Sequence, residues 1–316
     1  MNGKIAVEEH FAVEDTLQES SRVLPAKYWN ELSGRLLDIH DNRLQLMDAH
    51  GVQMMLLSLN APTVQAVAEL GQAIEMARRA NDWLAEKIVK TPDRFQGLAA
   101  IPMQDPDAAI RELERSIKEL GFVGVLVNGF SETNKRSEAI YYDLDRYRPF
   151  WAACAELDVP FYLHPRNPLW LLGATWAFGQ ETAVHALRLM ACGIFDQYPG
   201  LKIVLGHMGE GLPFNIWRAD NRTGWVKEPP SYPAKKKFGD YLQSNFWLST
   251  SGNFCTQVLL AAILQVGADR LLFSIDWPFE NIDHGSEWFD KTPISENDRI
   301  KIGRTNAQEL FKLKLS

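Results

Sequence analysis

Residues 96–128 read QGLAAIPMQDPDAAIRELERSIKELGFVGVLVN, and the order of patterns within them decides the fold. Gln96–Ile101 is a short apolar run of strand type. After a polar turn, Asp105 is placed to cap a helix starting at Pro106, where a missing N–H costs nothing. Ile110, Leu113, Ile117 and Leu120 recur at helical spacing and form one apolar stripe. Gly121 stands where a helix C-terminus favours positive φ, and Val123–Asn128 is the next strand. Apolar strands on either side of an amphipathic helix indicate a βαβ unit, with a parallel sheet covered on both faces.

The same unit recurs along the chain. Strands are expected at Lys4–His10, Gln53–Leu59, Phe161–His164, Lys202–His207, Phe246–Ser251 and Leu271–Asp276, which with the two above makes eight. Eight βα units predict an α/β protein of the (β/α)8, or TIM, barrel type, with a doubly wound sheet as the alternative. No Ser/Gly linker, low-complexity tract or fixed-period repeat divides the 316 residues, so residues 1–316 are expected to form one barrel domain. Ala12–Leu46 reads as an insertion between the first strand and its helix, large enough to cover the barrel mouth.

A composition of 46% hydrophobic and 23% charged residues excludes disordered, collagen-like and coiled-coil chains. The net charge of −7 argues against a nucleic-acid partner, and Lys235-Lys236-Lys237 reads as a solvated helix end. Glu8 and Glu9 stand where a signal peptide needs an apolar core. Val258–Ala268, interrupted by Gln265, is far short of the ~20 residues of a membrane span, so no membrane role is expected. Cys154, Cys192 and Cys255 are odd in number and lack a C-x-x-C pair, as befits reduced thiols in a cytoplasmic protein.

Active sites of parallel barrels form at the C-terminal strand ends. Those ends carry Glu8 and His10 on the first strand, His164 on the fifth, His207 on the sixth and Asp276 on the eighth. Glu8 and His10 are two apart, so both point to one side, towards the barrel axis. Imidazoles and carboxylates without thiolates suit Zn2+ or Mn2+. Taken singly, each has an ordinary reading. Glu8 or Glu9 is then a surface carboxylate, His164 a hydrogen-bonded histidine and Asp276 a helix cap. Together they are charges embedded in apolar runs, and a buried charge wants a partner or a metal. His40, His50 and His185 lie in helical patterns and read as structural, and His284 as a surface loop histidine.

Four motifs then appear in order: Glu8-Glu9-His10-Phe11, Tyr162-Leu163-His164-Pro165, Leu205-Gly206-His207-Met208-Gly209-Glu210 and Phe273-Ser274-Ile275-Asp276-Trp277-Pro278. With Leu120–Asn128 and Ser249–Phe254 they make the chain, from Met1 to about Leu313, resemble the amidohydrolase-related decarboxylases. That family includes aminocarboxymuconate-semialdehyde decarboxylase and several hydroxybenzoate decarboxylases. The resemblance implies metal ligation by Glu8, His10, His164 and Asp276, and catalysis by His207 with Glu210 as its hydrogen-bond partner. It implies substrate contacts at Asn128, Arg218 and Phe11, and protonation of ring carbon C1 by Asp276. Many relatives carry His-x-His at the first motif, and salicylate and 2,3-dihydroxybenzoate decarboxylases look more like Glu-x-Ala. Glu8-x-His10 thus favours the branch that acts on 2,6-dihydroxybenzoate. The implied activity is reversible, non-oxidative decarboxylation of a small aromatic carboxylate with one divalent metal ion, Zn2+ or Mn2+, per chain. The implied assembly is a homodimer or homotetramer in which Arg218 approaches a neighbouring subunit's site. Two departures stand out: the segment between Asn167 and Leu171 is short for the family, and Ile275 stands where relatives often have Thr. The alternatives are a metal-dependent lactone or amide hydrolase on the same barrel, a decarboxylase of another hydroxybenzoate, and a non-catalytic binding barrel.

Overall fold

All eight apolar runs form strands in the computed structural model, which describes residues 1–17, 26–133, 138–166, 173–223 and 232–315. They are β1 (Lys4–Phe11), β2 (Val52–Leu59), β3 (Phe95–Ala99), β4 (Gly124–Asn128), β5 (Phe161–His164), β6 (Ile203–Leu205), β7 (Phe246–Ser249) and β8 (Leu271–Leu272). Neighbours in space follow the order of the chain from β1 to β8, and every pairing is parallel. A doubly wound sheet would reverse its order at a switch point. Here none occurs, and the sheet curls into a nearly closed (β/α)8 barrel. The first and last strands meet beyond the end of β8, where Asp276 N–H donates to the Glu8 carbonyl (3.2 Å) and His10 N–H to the Trp277 carbonyl (2.6 Å).

Side chains divide cleanly by parity. Ile5, Val7, Met54, Leu56, Leu98, Leu126, Tyr162, Val204 and Leu272 fill the lumen, and Leu310, Phe311 and Leu313 close its N-terminal end. The alternate residues, among them Ala6, Met55, Leu57, Ala99, Val125, Val127, Phe161, Leu163 and Phe273, pack against the helices. The helix Pro106–Lys118 shows how the outer layer is made, with Asp105 accepting from Ala108 N–H (2.8 Å) and Gly121 at φ +73° turning the chain back to β4.

One irregularity sets up the site. In β1, Ala6 lies opposite Met55 and Glu9 opposite Leu57, so Val7 and Glu8 together face the single residue Leu56. This β-bulge shifts the parity of the strand by one. Unbroken alternation from Ile5 and Val7 would carry Glu9 into the lumen and turn Glu8 and His10 to the helices. The bulge does the reverse.

Five strands are shorter than expected: β3 ends at Ala99 and β7 at Ser249, β4 starts at Gly124, and β6 and β8 are cut back most. β6 ends at Leu205 and β8 at Leu272, so His207 and Asp276 sit on the following loops, at φ +48° and +82°. In the insertion, the helix Ala26–Leu37 sets Leu32 and Leu36 against Ala12. The next helix starts at Asn42, ahead of the expected boundary at Leu46, because the Asp38 carboxylate accepts from Asp41 and Arg43 N–H (both 2.9 Å). The short segment Asn167–Leu171 lies outside the described residues. Among the described residues no helix is long and apolar enough to cross a membrane.

Candidate metal centre

Above the apolar plug, the lumen side chains turn polar. Glu8, His10, His164 and Asp276 each offer one ligand atom, and these atoms all lie within 4.8 Å of one another. Glu8 Oε1 is 3.2 Å from His164 Nε2 and 4.0 Å from His10 Nε2, and His10 Nε2 is 3.2 Å from Asp276 Oδ1. Two other atoms of the group are already engaged. Glu8 Oε2 accepts from the Tyr162 hydroxyl, which is 2.7 Å from Ser249 Oγ, and His10 Nδ1 lies 3.1 Å from Ser58 Oγ. By contrast, Glu8 Oε1, His10 Nε2 and Asp276 Oδ1 are buried and make no hydrogen bond. Buried polar atoms are normally paired, so three facing orphans with mixed N and O character fit one divalent cation of the Mn2+ or Zn2+ kind.

His207 stands beside this group. Its Nδ1 is 2.7 Å from Glu210 Oε1, and its Nε2 is 3.6 Å from Asp276 Oδ2 and 3.9 Å from Glu8 Oε1. The loop that carries it is strained, with His207, Met208 and Glu210 all at positive φ. Gly252 keeps the space between His207 and Asp276 open: a Cβ there would lie 3.0 Å from His207 Cδ2 and 3.2 Å from Asp276 Oδ2. Burial opposes charge on His207, but Glu210, Glu8 and Asp276 outweigh it and hold the imidazole well above its usual range. Burial likewise opposes the Glu8 carboxylate, yet His207, His164 and His10 hold it well below the usual range. Asp276 is lowered in the same way, with His10 and His207 outweighing burial.

The structure thus brings Glu8, His10, His164, Asp276, His207 and Glu210 together. Asn128 ends β4 directly beside His164, buried, with its Oδ1 unpaired. Phe11 is not brought to the group. It has the outward parity of Glu9 and Leu59, and its ring stacks on Trp83 with centroids 5.4 Å apart. Arg218 is exposed on the helix Leu212–Thr223, beside the exposed Trp217. His50 caps a helix C-terminus, His185 is buried in the helix Phe178–Ala191, and His284 is exposed in the first turn of the helix Ile282–Lys291.

Several residues of the site were missed in the sequence. Ser58 and Tyr162 could have been found by counting in twos along β2 and β5 from their lumen-facing neighbours. Phe279 meets the His10 ring edge-on at 5.6 Å while 42% exposed, and nothing in its local pattern marks it. Glu9, fully buried, was read only as an ordinary surface carboxylate.

A family model described as Amidohydrolase matches residues 11–313. The γ-resorcylate decarboxylase of Polaromonas sp. (strain JS666 / ATCC BAA-500) is 63% identical over 99% of both chains. A solved 2,6-dihydroxybenzoate decarboxylase, complexed with 2,6-dihydroxybenzoate, superposes with a TM-score of 0.96 at 63% identity, covering 99% of this chain and 100% of that one. The dihydroxybenzoic acid decarboxylase of Polaromonas sp. JS666, solved with manganese and the inhibitor 2-nitroresorcinol, gives a TM-score of 0.95 at 63% identity, covering 99% and 97%.

Proposed function

This chain belongs to the amidohydrolase family, and we propose that it is a metal-dependent carboxy-lyase converting 2,6-dihydroxybenzoate to resorcinol and CO2. One observation carries the reading: 63% identity, over 99% of both chains, to relatives of that one activity. The four converging donors supply the means.

Glu8, His10, His164 and Asp276 would hold the ion, Mn2+ or alternatively Zn2+. When bound, such an ion supplies a Lewis acid and a template for the substrate carboxylate and a neighbouring phenolate oxygen. Asp276 takes the phenolic proton and delivers it to C1, the ring carbon bearing the carboxylate. The C1–carboxylate bond then breaks, its electron pair restores the aromatic ring, CO2 leaves, and the phenolate left behind takes a proton from solvent to give resorcinol. His207, aligned by Glu210 through Nδ1, presents Nε2–H towards the carboxylate as it departs. Asn128 Oδ1, unpaired at the lumen edge, accepts from a substrate hydroxyl. Gly252 leaves the room that the carboxylate needs between His207 and Asp276.

The apolar faces of Phe214 and Trp217, exposed beside Arg218, support assembly as a homodimer or homotetramer in which Arg218 reaches a neighbouring site. Three unpaired cysteines support a reducing, cytoplasmic setting, and residues 1–316 are read as one domain.

The test is CO2 release from a panel of hydroxybenzoates by metal-quantified protein. The kcat/KM for 2,6-dihydroxybenzoate should exceed those for 2,3-dihydroxybenzoate and salicylate by about tenfold or more, since a second ortho hydroxyl enriches C1 and one lost polar contact costs that much. Equal turnover of salicylate would overturn the substrate. Hydrolysis of lactones or amides without CO2 release would overturn the reaction.

A further inference from the structure

Glu9 has no part in the chemistry just described, yet its carboxylate is completely buried on the helix side of β1. Burial of a carboxylate is costly without donors, and three groups answer it. Ile275 N–H (2.9 Å) and the Ser274 hydroxyl (3.0 Å) donate to Oε1, and Trp277 N–H (2.8 Å) donates to Oε2. The amide between them, Asp276 N–H, donates to the Glu8 carbonyl at 3.2 Å. Three successive amides of the loop carrying Asp276 therefore end on two successive residues of β1. The buried Arg43 guanidinium donates to the His10 carbonyl (2.7 Å), one residue beyond Glu9.

The loop needs such a hold. β8 stops at Leu272, so no strand ladder reaches residues 275–277. Asp276 sits at φ +82°, a conformation that non-glycine residues keep only where their surroundings over-determine it. Thr250 grips the start of the loop, its hydroxyl donating to the Ser274 carbonyl (2.7 Å) and accepting from Ser274 N–H (2.9 Å). Further along, Gly252 N–H reaches the Ile275 carbonyl (3.1 Å). Among the described residues, only Glu9 spans both sides of Asp276 with one rigid group.

We propose that Glu9 is a positioning residue whose carboxylate splints residues 275–277 and so aims Asp276 into the ligand group, without touching substrate. The bulge in β1 makes this possible, since the same slip that turns Glu8 and His10 inward turns Glu9 outward to meet the loop. The inference rests on the reading of Asp276 as ligand and acid.

The experiment compares Glu9→Gln with Asn81→Ala. Asn81 makes a clamp of the same kind at the end of β3, donating to the Ala100 carbonyl (2.8 Å) and accepting from Ala100 N–H (2.9 Å), but it holds no site residue. Mn2+ is titrated calorimetrically into chelator-treated protein, and kcat and KM for 2,6-dihydroxybenzoate are measured at saturating Mn2+. Glu9→Gln should weaken Mn2+ binding and lower kcat, each by about tenfold or more, with KM moving less than about threefold. Asn81→Ala should lower Tm and leave both quantities alone. If Glu9→Gln lowers only Tm, as Asn81→Ala does, the splint is wrong. Should Glu9→Gln not fold, Glu9→Asp keeps the carboxyl group without the reach. Mn2+ binding weakened about threefold or more then supports the proposal, and unchanged affinity overturns it. The Mn2+ titration needs no substrate, so wild-type protein inert towards 2,6-dihydroxybenzoate would refute the proposed reaction and leave the splint to be judged by the titration.

Discussion

At its N-terminal end the lumen is sealed by Ile5, Met54, Leu98 and Leu272 under Phe311, all within a few per cent of complete burial. Towards the other end of the barrel strands stand Glu8, His10, Asn128 and His164, also buried but each carrying an orphaned nitrogen or oxygen atom. The strands and their parity rule are the same at both ends. What differs is where the free energy goes. Burying apolar surface stabilises the fold by roughly 25 cal/mol per Å2, whereas each buried polar atom without a partner costs about 1–3 kcal/mol. The plugged end supplies the stability that lets the open end keep unsatisfied ligands aimed at one point.

Three measurements can break or sharpen that division, beginning with the largest effect. Phe311→Ala empties the floor of the lumen and should cost about 3–5 kcal/mol in urea unfolding. At temperatures where the variant is folded, kcat/KM should stay within about twofold of wild type, because the change is local and far from the mouth. A large activity loss in folded protein would mean that the two ends are not separable.

Next, His207→Ala acts at the mouth alone. It should lower kcat by about 10²–10³, or roughly 3–4 kcal/mol, with metal content unchanged on the same sample. Loss of metal as complete as in His10→Ala would make His207 a ligand and redraw the polar end.

The third compares the mouth with a buried histidine whose shift owes nothing to a carboxylate. His185 lies against the rings of Tyr141 and Tyr142, accepting from Tyr142 N–H at 3.2 Å, and burial, with a lesser push from Arg188, lowers it to about 3. Its proton is therefore bound by the unfolded chain below about pH 6.5 and refused by the folded one until about pH 3. Stability from this group is complete above pH 6.5 and declines as the pH falls, by about 2 kcal/mol at pH 5. His185→Gln should remove about that much of the acid-side decline, read from unfolding midpoints between pH 7 and pH 5. An unchanged decline would show that burial does not depress this imidazole.

Much of this molecule was legible in the chain itself. The apolar runs marked all eight strands because a parallel strand covered on both faces must be apolar throughout. The polar residues ending those runs marked Glu8, His10, His164, His207 and Asp276, because charges gathered at the ends of apolar runs want a partner or a metal. Phe11 misled, since its motif neighbours reach the site while its own side chain faces the other way. Glu9 was invisible as anything but a surface carboxylate, because its three donors come from residues more than 260 positions away.

The sequence by itself determined the element order, the barrel and the residue types gathered at its mouth, since these follow from local periodicity and from the cost of burying charge. The sequence also put Glu8 and His10 on one side of the strand, but only the tertiary structure showed that a bulge is what turns that side, and not Glu9, to the lumen. A one-residue bulge between β1 and β2 leaves no mark in a run of apolar and acidic residues, yet it reverses every side chain beyond it. The same holds for the loop carrying Asp276, which meets the Glu8 carbonyl and the His10 amide from the other end of the chain. Backbone groups are chemically alike at every position, so only their arrangement in space says which of them will meet.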